Sequence, residues 1–312
     1  MKRRSSDGAP VVPDATFTSY YGRPVVKPSP WEKDIPAYLF LGGLAAGSSL
    51  LAAGADATGR ASLRRTGRLG ALISITLSFL ALVHDLGKPS RFVNMLRVAK
   101  PTSPMSVGTW ILSLYGPAAG LAGAAELPLL PRFVRRLLRP FARPAGVVAA
   151  TAAPSVASYT AVLLADTATP AWNAARRELP FVFVGSAASA AGGLGMVFAA
   201  TSDAGPARRL AVAGACVELM AEARMEQSMG LAAETLHSGR AGQLMRASKA
   251  LTIAGAAGAV VGRRSRLLSA LAGKALLAGS VCTRFAIFEA GQESARDPKY
   301  TVVPQRERLD RR

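Results

Sequence analysis

The chain of 312 residues contains only two cysteines and two histidines. Two cysteines cannot build a disulfide scaffold, a four-cysteine zinc site or a cysteine-ligated iron–sulfur cluster. Two histidines cannot serve a pair of bis-histidine haems. Acidic residues are also scarce, 19 against 38 Lys+Arg, which leaves a formal charge of +19. Aromatics make up 6% and charged residues 18%, against roughly 25% charged in an average soluble chain. A nucleic-acid binder would carry its bases on polar, foldable segments. Here they edge apolar runs instead, so nucleic acid is not an expected partner.

Ala, Gly, Leu and Val dominate what remains, and they fall in eight runs: 37–57, 69–87, 104–130, 144–165, 179–200, 210–231, 251–262 and 267–288. Most reach the ~20 residues a helix needs to cross a hydrocarbon core. The seventh is cut short by GRRSR at 262–266. Gly and Pro within such runs are costly in soluble helices but tolerated in a membrane. GGLAAG, SAASAAGG and AGAAGA suit close helix contacts through small residues. The expectation is an all-α polytopic membrane protein of about eight transmembrane helices. It divides into a polar, proline-containing segment 1–36, a membrane domain 37–288 and a polar tail 289–312. No cleaved signal peptide is expected, since the first apolar run starts only after the polar segment.

Eight spans put both termini on one side. Arg60, Arg64, Arg65, Arg68, a cluster from Arg132 to Arg143, Arg208, Arg209, Arg263, Arg264 and Arg266 fall in connectors on the other. The terminus-side connectors carry fewer bases, among them Lys88, Arg91, Arg97 and Lys100. The positive-inside rule therefore places both termini outside the cell membrane.

Polar groups within the apolar runs are the functional candidates. His84 and Asp85 end the second run; an imidazole beside a carboxylate at membrane depth can carry protons or hold a polar ligand head, or simply face water. Pro89 and Pro101 bound a short segment in which Phe92, Val93, Leu96 and Val98 suit the membrane interface. Tyr159 lies in the fourth run, where a buried phenol needs a hydrogen-bond partner. In the sixth run Glu218, Glu222 and Glu226 share one helical face with Met225 and Met229. Lipid exposure of that face is expensive, so it should point into the bundle, as a proton path or as structural pairing. Arg284 is placed to pair with Glu289, His237 to be solvated, and Cys216 and Cys282 to be small buried hydrophobes. Asp56, Glu126 and Asp166 fall near run ends.

At YLFLGGLAAG (38–47), HDLGKPSRFVNML (84–96) and SPMSVGTW (103–110) the sequence resembles the NrfD/PsrC family, the membrane subunits of molybdopterin and iron–sulfur oxidoreductases. The tyrosine of the fourth run, ATPAW (168–172) and LPFVFVGSAASAAGG (179–193) add to a resemblance covering roughly residues 31–290. The tail with DPKYTVVPQRER is similar to an actinobacterial-type branch. The resemblance implies two four-helix bundles and a haem-free subunit without its own iron–sulfur cluster. It would exchange electrons between a four-cluster ferredoxin-like partner and a quinone, menaquinone or ubiquinone, with menaquinone expected. A separate molybdopterin-type catalytic subunit would handle the substrate. His84 and Asp85 match the family's HDLG motif, and Tyr159 matches a tyrosine near the quinone head. Tyr38 stands where some relatives carry other polar residues, and Tyr159-Thr160-Ala161 replaces a YTG-like step. No metal site is implied. Two other readings stay open: a proton- or ion-translocating subunit without redox chemistry, and a structural anchor with a degenerate quinone pocket.

Overall fold

The computed structural model describes residues 24–88 and 90–310. Residues 1–23, Pro89 and the side chains of Phe92 and Val93, all named above, lie outside the described residues. Among the described residues the chain is helical throughout, without strands. In order come α1 (Asp34–Ala57), α2 (Ala61–Asp85), α3 (Arg91–Met95), α4 (Pro104–Ala124), α5 (Arg132–Ala165), α6 (Pro170–Ala174), α7 (Leu179–Phe198), α8 (Gly205–Ser228), α9 (Gly239–Val261), α10 (Arg266–Arg296) and α11 (Lys299–Asp310). Two 3₁₀ segments, Gly230–Leu236 and Gly262–Arg264, flank α9.

Six of these helices are long and apolar enough to cross a membrane: α1, α2, α5, α7, α9 with the 3₁₀ turn after it, and α10. The other two expected spans correspond to α4 and α8, of 21 and 24 residues. Both have the ~20 residues a crossing needs, but not the composition. In α4, Thr109, Tyr115, Pro117 and the glycines dilute the hydropathy; in α8 charges accumulate from Arg208 to Glu226.

Five boundaries differ from the apolar runs because charge ends a hydropathy run without ending a helix. α2 starts at Ala61 instead of 69 and α8 at Gly205 instead of 210, so Arg64, Arg65, Arg68, Arg208 and Arg209 lie within helices rather than in connectors. The arginine cluster 132–143 forms the first three turns of α5 rather than a connector. Leu and Arg are good helix formers, and Pro140 and Pro144 are absorbed within the helix. α9 starts at Gly239 instead of 251, taking in Arg246 and Lys249, and α10 continues to Arg296. At ~1.5 Å per residue, the 34 residues of α5 outrun a ~30 Å hydrocarbon core, so its first turns extend past it.

α1 packs against α2, α5, α7 and α10. Around it, α2 meets α4 and α4 meets α5, while α7 meets α8 and α10, and α9 meets α10. Small residues set the separations. A Cβ at Gly185 of α7 would lie 2.5 Å from the backbone nitrogen of Glu218, so only glycine lets α8 approach this closely.

Local capping gathers the arginine-rich ends. The Ser62 amide donates to Asp203 Oδ2 at 3.0 Å, and the Ala200 amide donates to Ser62 Oγ at 2.8 Å. Arg266 Nη1 donates to the Met196 and Ala199 carbonyls at 3.2 and 2.6 Å. That satisfies carbonyls left open at the end of α7, at the negative pole of its dipole. At the opposite end, Trp172 of α6 is fully buried, stacks on Trp31 with ring centroids 5.9 Å apart, and donates Nε1–H to the Ile287 carbonyl at 2.8 Å. Gln292 Nε2 donates to the Ser29 and Trp31 carbonyls, both at 3.1 Å. The ATPAW motif is thus a tether that pins the segment before α1 to α10. Leu80, Leu114, Phe181, Phe198 and Met220 are exposed on the outer faces, the apolar coat expected of a surface solvated by lipid.

Candidate functional site

At the end opposite the arginines, the ends of α1, α2, α4 and α5 enclose a cavity of about 150 Å³. Trp31 and Tyr38, Asp85, Gly108 and Tyr159 contribute to its wall. Tyr159 is buried, and among the described residues its hydroxyl has no hydrogen-bond partner. An orphaned buried phenol is costly, about 1–3 kcal/mol by the desolvation of the group. Its ring lies directly on Gly108: a Cβ there would fall 2.7 Å from Tyr159 Cδ2 and 3.2 Å from Cζ. Where the family-like step would have glycine, Ala161 is wholly buried.

An apolar groove of about 460 Å³ lies alongside, between α2 and α4, and shares Tyr38 and Leu112 with the cavity wall. Ile75, Phe79, Gly116 and Pro117 line it. Taken with the groove, the space falls in the ~300–1,000 Å³ range of small-molecule sites. A mostly apolar groove adjoins a wall that carries two phenols, Tyr38 and Tyr159, and one carboxylate, Asp85.

His84 stands apart from its expected partner. Its Nδ1 lies 2.7 Å from Asp34 Oδ2 of α1, its side chain is 81% exposed, and it does not line the cavity. Adjacent positions on a helix point about 100° apart, so Asp85 turns inward as His84 turns out. The structure therefore brings Tyr38, Asp85 and Tyr159 together and leaves His84 at the rim.

The carboxylates of α8 form a second cluster. Glu218 and Glu222 are both buried. Glu218 accepts from Thr283 Oγ1 at 2.7 Å and Ser189 Oγ at 3.1 Å. Both carboxylate oxygens of Glu222 are buried without a hydrogen-bond partner among the described residues. Glu226 is half-buried and pairs with Lys249 of α9, with His237 Nε2 3.7 Å away. Arg224 is exposed.

Arg284 completes this cluster, a role its sequence neighbours hide. It was expected beside Glu289, but it is buried in the core and Glu289 lies 3.9 Å from Arg240 instead. From α10, helical geometry sends the two side chains to different faces. Arg284 Nη2 donates to the Phe183 carbonyl at 2.8 Å, its guanidinium sits 3.7 Å from the Phe183 ring centroid, and it interacts electrostatically with Glu218 and Glu222. A Cβ at Gly43 would stand 3.3 Å from Nη2, so Arg284 occupies the seam between α1, α7 and α8. Cys216 is exposed rather than buried, and Cys282 half-buried.

Asp56 and Glu126, individually unremarkable in sequence, hold the arginine-rich end together. Arg68 bridges Asp56 at 3.2 Å and Glu126 at 3.0 Å, and Arg64 bridges the same two at 3.5 and 3.1 Å. No group of three or more metal-ligating side chains occurs among the described residues.

A family model described as polysulphide reductase, NrfD, matches residues 25–233, two thirds of the chain. The protein belongs to the NrfD family. It is therefore a multi-pass membrane protein from a family of membrane subunits of oxidoreductase complexes. The match takes in the cavity, the groove and α8. It stops short of the 31–290 expected from the motifs, so Lys249 and Arg284 lie beyond the matched residues. A search of curated proteins finds no match to this NrfD-family chain.

Proposed function

We propose that this NrfD-family protein is the quinone-reactive membrane subunit of a multisubunit oxidoreductase, and that the cavity at Tyr159 takes the quinone ring. The observation that carries the reading is that Tyr159, whose buried hydroxyl has no hydrogen-bond partner among the described residues, contributes to the wall of a cavity that adjoins an apolar groove. These residues fit the group: the groove suits a polyprenyl tail and the phenol suits a carbonyl oxygen. Bound quinone, with menaquinone expected, supplies reversible two-electron, two-proton chemistry at its carbonyl oxygens.

In this reading, Tyr159 donates its hydroxyl proton as a hydrogen bond into the cavity and orients the ring. Asp85 holds or releases a proton on the same side. The exposed His84–Asp34 pair exchanges protons with water at the rim. Trp31, pinned by Gln292 and stacked on Trp172, keeps bulk water from the inner wall. The electrons come from or go to a four-cluster ferredoxin-like subunit docked at this end, with substrate chemistry in a molybdopterin-type subunit. α4 and α8 complete eight crossings, arranged as two four-helix halves, α1/α2/α4/α5 and α7/α8/α9/α10, with both termini outside. The C-terminal sequence supports an actinobacterial-type branch.

Tyr159→Phe in the intact complex tests this. It keeps the ring and removes the donor, so kcat/KM for quinone should fall about 10-fold or more while the complex assembles normally. Unchanged quinone kinetics would remove Tyr159 from the site.

A second reading adds to the first rather than replacing it. The unpartnered carboxylate of Glu222, between Glu218 inside and the Glu226–Lys249–His237 group near the terminus side, favours a proton route through α8. Buried ionisable groups of this kind in a membrane are costly to keep without a use.

A further inference from the structure

At the end opposite the cavity, α1, α2, α4 and α5 frame a second, strongly basic pocket of about 440 Å³. Six arginines face it, Arg64, Arg65, Arg68, Arg135, Arg139 and Arg143, against only two carboxylates, Asp56 and Glu126. Both carboxylates are already engaged by Arg64 and Arg68, and Arg143 lies 3.8 Å from Asp56. Arg65, Arg135 and Arg139 have no acidic partner among the described residues, and Arg135 Nε is buried without any hydrogen-bond acceptor. A pocket with this surplus of positive charge suits an anion.

The neighbouring space says which kind. A groove of about 770 Å³ between α2 and α7 shares Arg64, Arg65 and Glu126 with the pocket. Away from the arginines its wall is apolar, with Leu69, Ile73, Leu194 and Phe198. Ile73 and Phe198 are 55% and 66% exposed, an apolar face suited to lipid tails. A free phosphate would satisfy the arginines and leave the groove unexplained. An acyl chain would satisfy the groove and leave the arginines unexplained.

We infer that this pocket and groove together bind an anionic phospholipid, its headgroup phosphate among Arg65, Arg135 and Arg139 and an acyl chain along the groove between α2 and α7. The amphipathic first turns of α5 support the same placement. They set Phe133, Leu137 and Phe141 toward lipid, all exposed, beside the arginine face. A basic helix end of this kind sits in the headgroup layer of an anionic leaflet.

Native mass spectrometry of the full-length chain in a nonionic detergent tests the inference, with phosphatidylglycerol, phosphatidylcholine and inorganic phosphate as separate probes. Phosphatidylglycerol should bind at least about 10-fold more tightly than phosphatidylcholine. The Arg135→Gln/Arg139→Gln pair should weaken it about 30-fold, from the few-fold that one basic residue contributes near an anionic surface. Arg65→Gln, exposed and unpaired, should weaken it about 5-fold and serves as the independent arm if the pair fails to fold. Equal binding of the two lipids, or unchanged phosphatidylglycerol binding in Arg65→Gln, overturns the site. Inorganic phosphate competing as well as the lipid at equal concentration overturns the lipid assignment.

Discussion

Gly108→Ala asks whether the packing of α4 on α5 is what holds Tyr159 in the wall of its cavity. The added methyl would stand 2.7 Å from Tyr159 Cδ2 and 3.2 Å from Cζ, where carbon pairs settle at about 3.5–4.0 Å. Something must yield by roughly 1 Å. α4 cannot easily move, because a Cβ at Gly123 near its far end would meet the Arg68 carbonyl at 2.8 Å. The ring therefore yields, and it carries its hydroxyl with it. Overpacking of this size costs about 1–3 kcal/mol, and a donor displaced by ~1 Å can cost about 100-fold in rate. The expected result is a loss of quinone-linked turnover between about 10- and 100-fold, with assembly reduced far less.

The assay is quinone reduction or quinol oxidation by membranes containing the intact complex, normalised to the assembled amount. Gly54→Ala is the control, since nothing lies within 4 Å of a Cβ there and it should be silent. Adding Gly108→Ala to Tyr159→Phe should cost little beyond Tyr159→Phe alone, because the donor is already gone. Wild-type turnover in normally assembled Gly108→Ala would refute the reasoning. So would fully additive losses in the double variant, which would mean that Gly108 acts on something other than the phenol.

Two further perturbations separate inner from outer groups. Asp85→Asn should lower quinone turnover about 10-fold or more, whereas His84→Ala should lower it less than about 5-fold, since water can replace an exposed imidazole; a reversed order in steady-state kinetics would move the site to the rim. Arg284→Leu leaves Glu218 and Glu222 buried without their cation, a change worth about 3–5 kcal/mol, so the thermal midpoint of the purified chain should fall sharply. Adding Glu218→Gln and Glu222→Gln should restore much of it, and a midpoint unaffected by Arg284→Leu would show that the three do not act together. Glu222→Gln alone should slow proton-coupled turnover in proteoliposomes if α8 is a proton route; normal proton uptake at normal rate would return Glu222 to a structural role.

Helix content and membrane character were legible in the apolar runs because burial in lipid needs little more than length and composition. The ends were not. Hydropathy stops at a charge, but Arg132–Arg143, Arg246 and Lys249 all continue helices because their long aliphatic stems suit helical backbone. The candidate site was partly legible for a similar reason. A polar residue inside an apolar run is visible without knowing the fold, which is why Asp85, Tyr159 and the α8 glutamates could be named. Their partners were not visible. Asp34 reaches His84, and Arg284 reaches Phe183, across helix contacts that no local pattern encodes. The reading that joined His84 to Asp85 took neighbours in sequence for neighbours in space, and the ~100° turn per residue of a helix separates them.

Arg284 carries the wider consequence. A fully buried guanidinium is expensive unless it is paired and hydrogen-bonded, yet among the described residues this one has Nε and Nη1 without a hydrogen-bond partner, beside a glutamate whose oxygens also have none. If burial and packing alone mattered, an apolar residue of similar volume would serve better at this seam. The cost is offset only if the charges belong together, and they are drawn from α8 and α10 against a backbone carbonyl of α7 and the glycine face of α1. The same α1 supplies Tyr38 to the cavity wall. A change of charge at Glu222 would therefore be felt on the helix that lines the cavity proposed for quinone, without any contact between the two sites. On the proposed function, proton occupancy at Glu222 would then be linked to quinone binding at the cavity. The link is measurable as a change in quinone affinity when Glu222 is made permanently neutral.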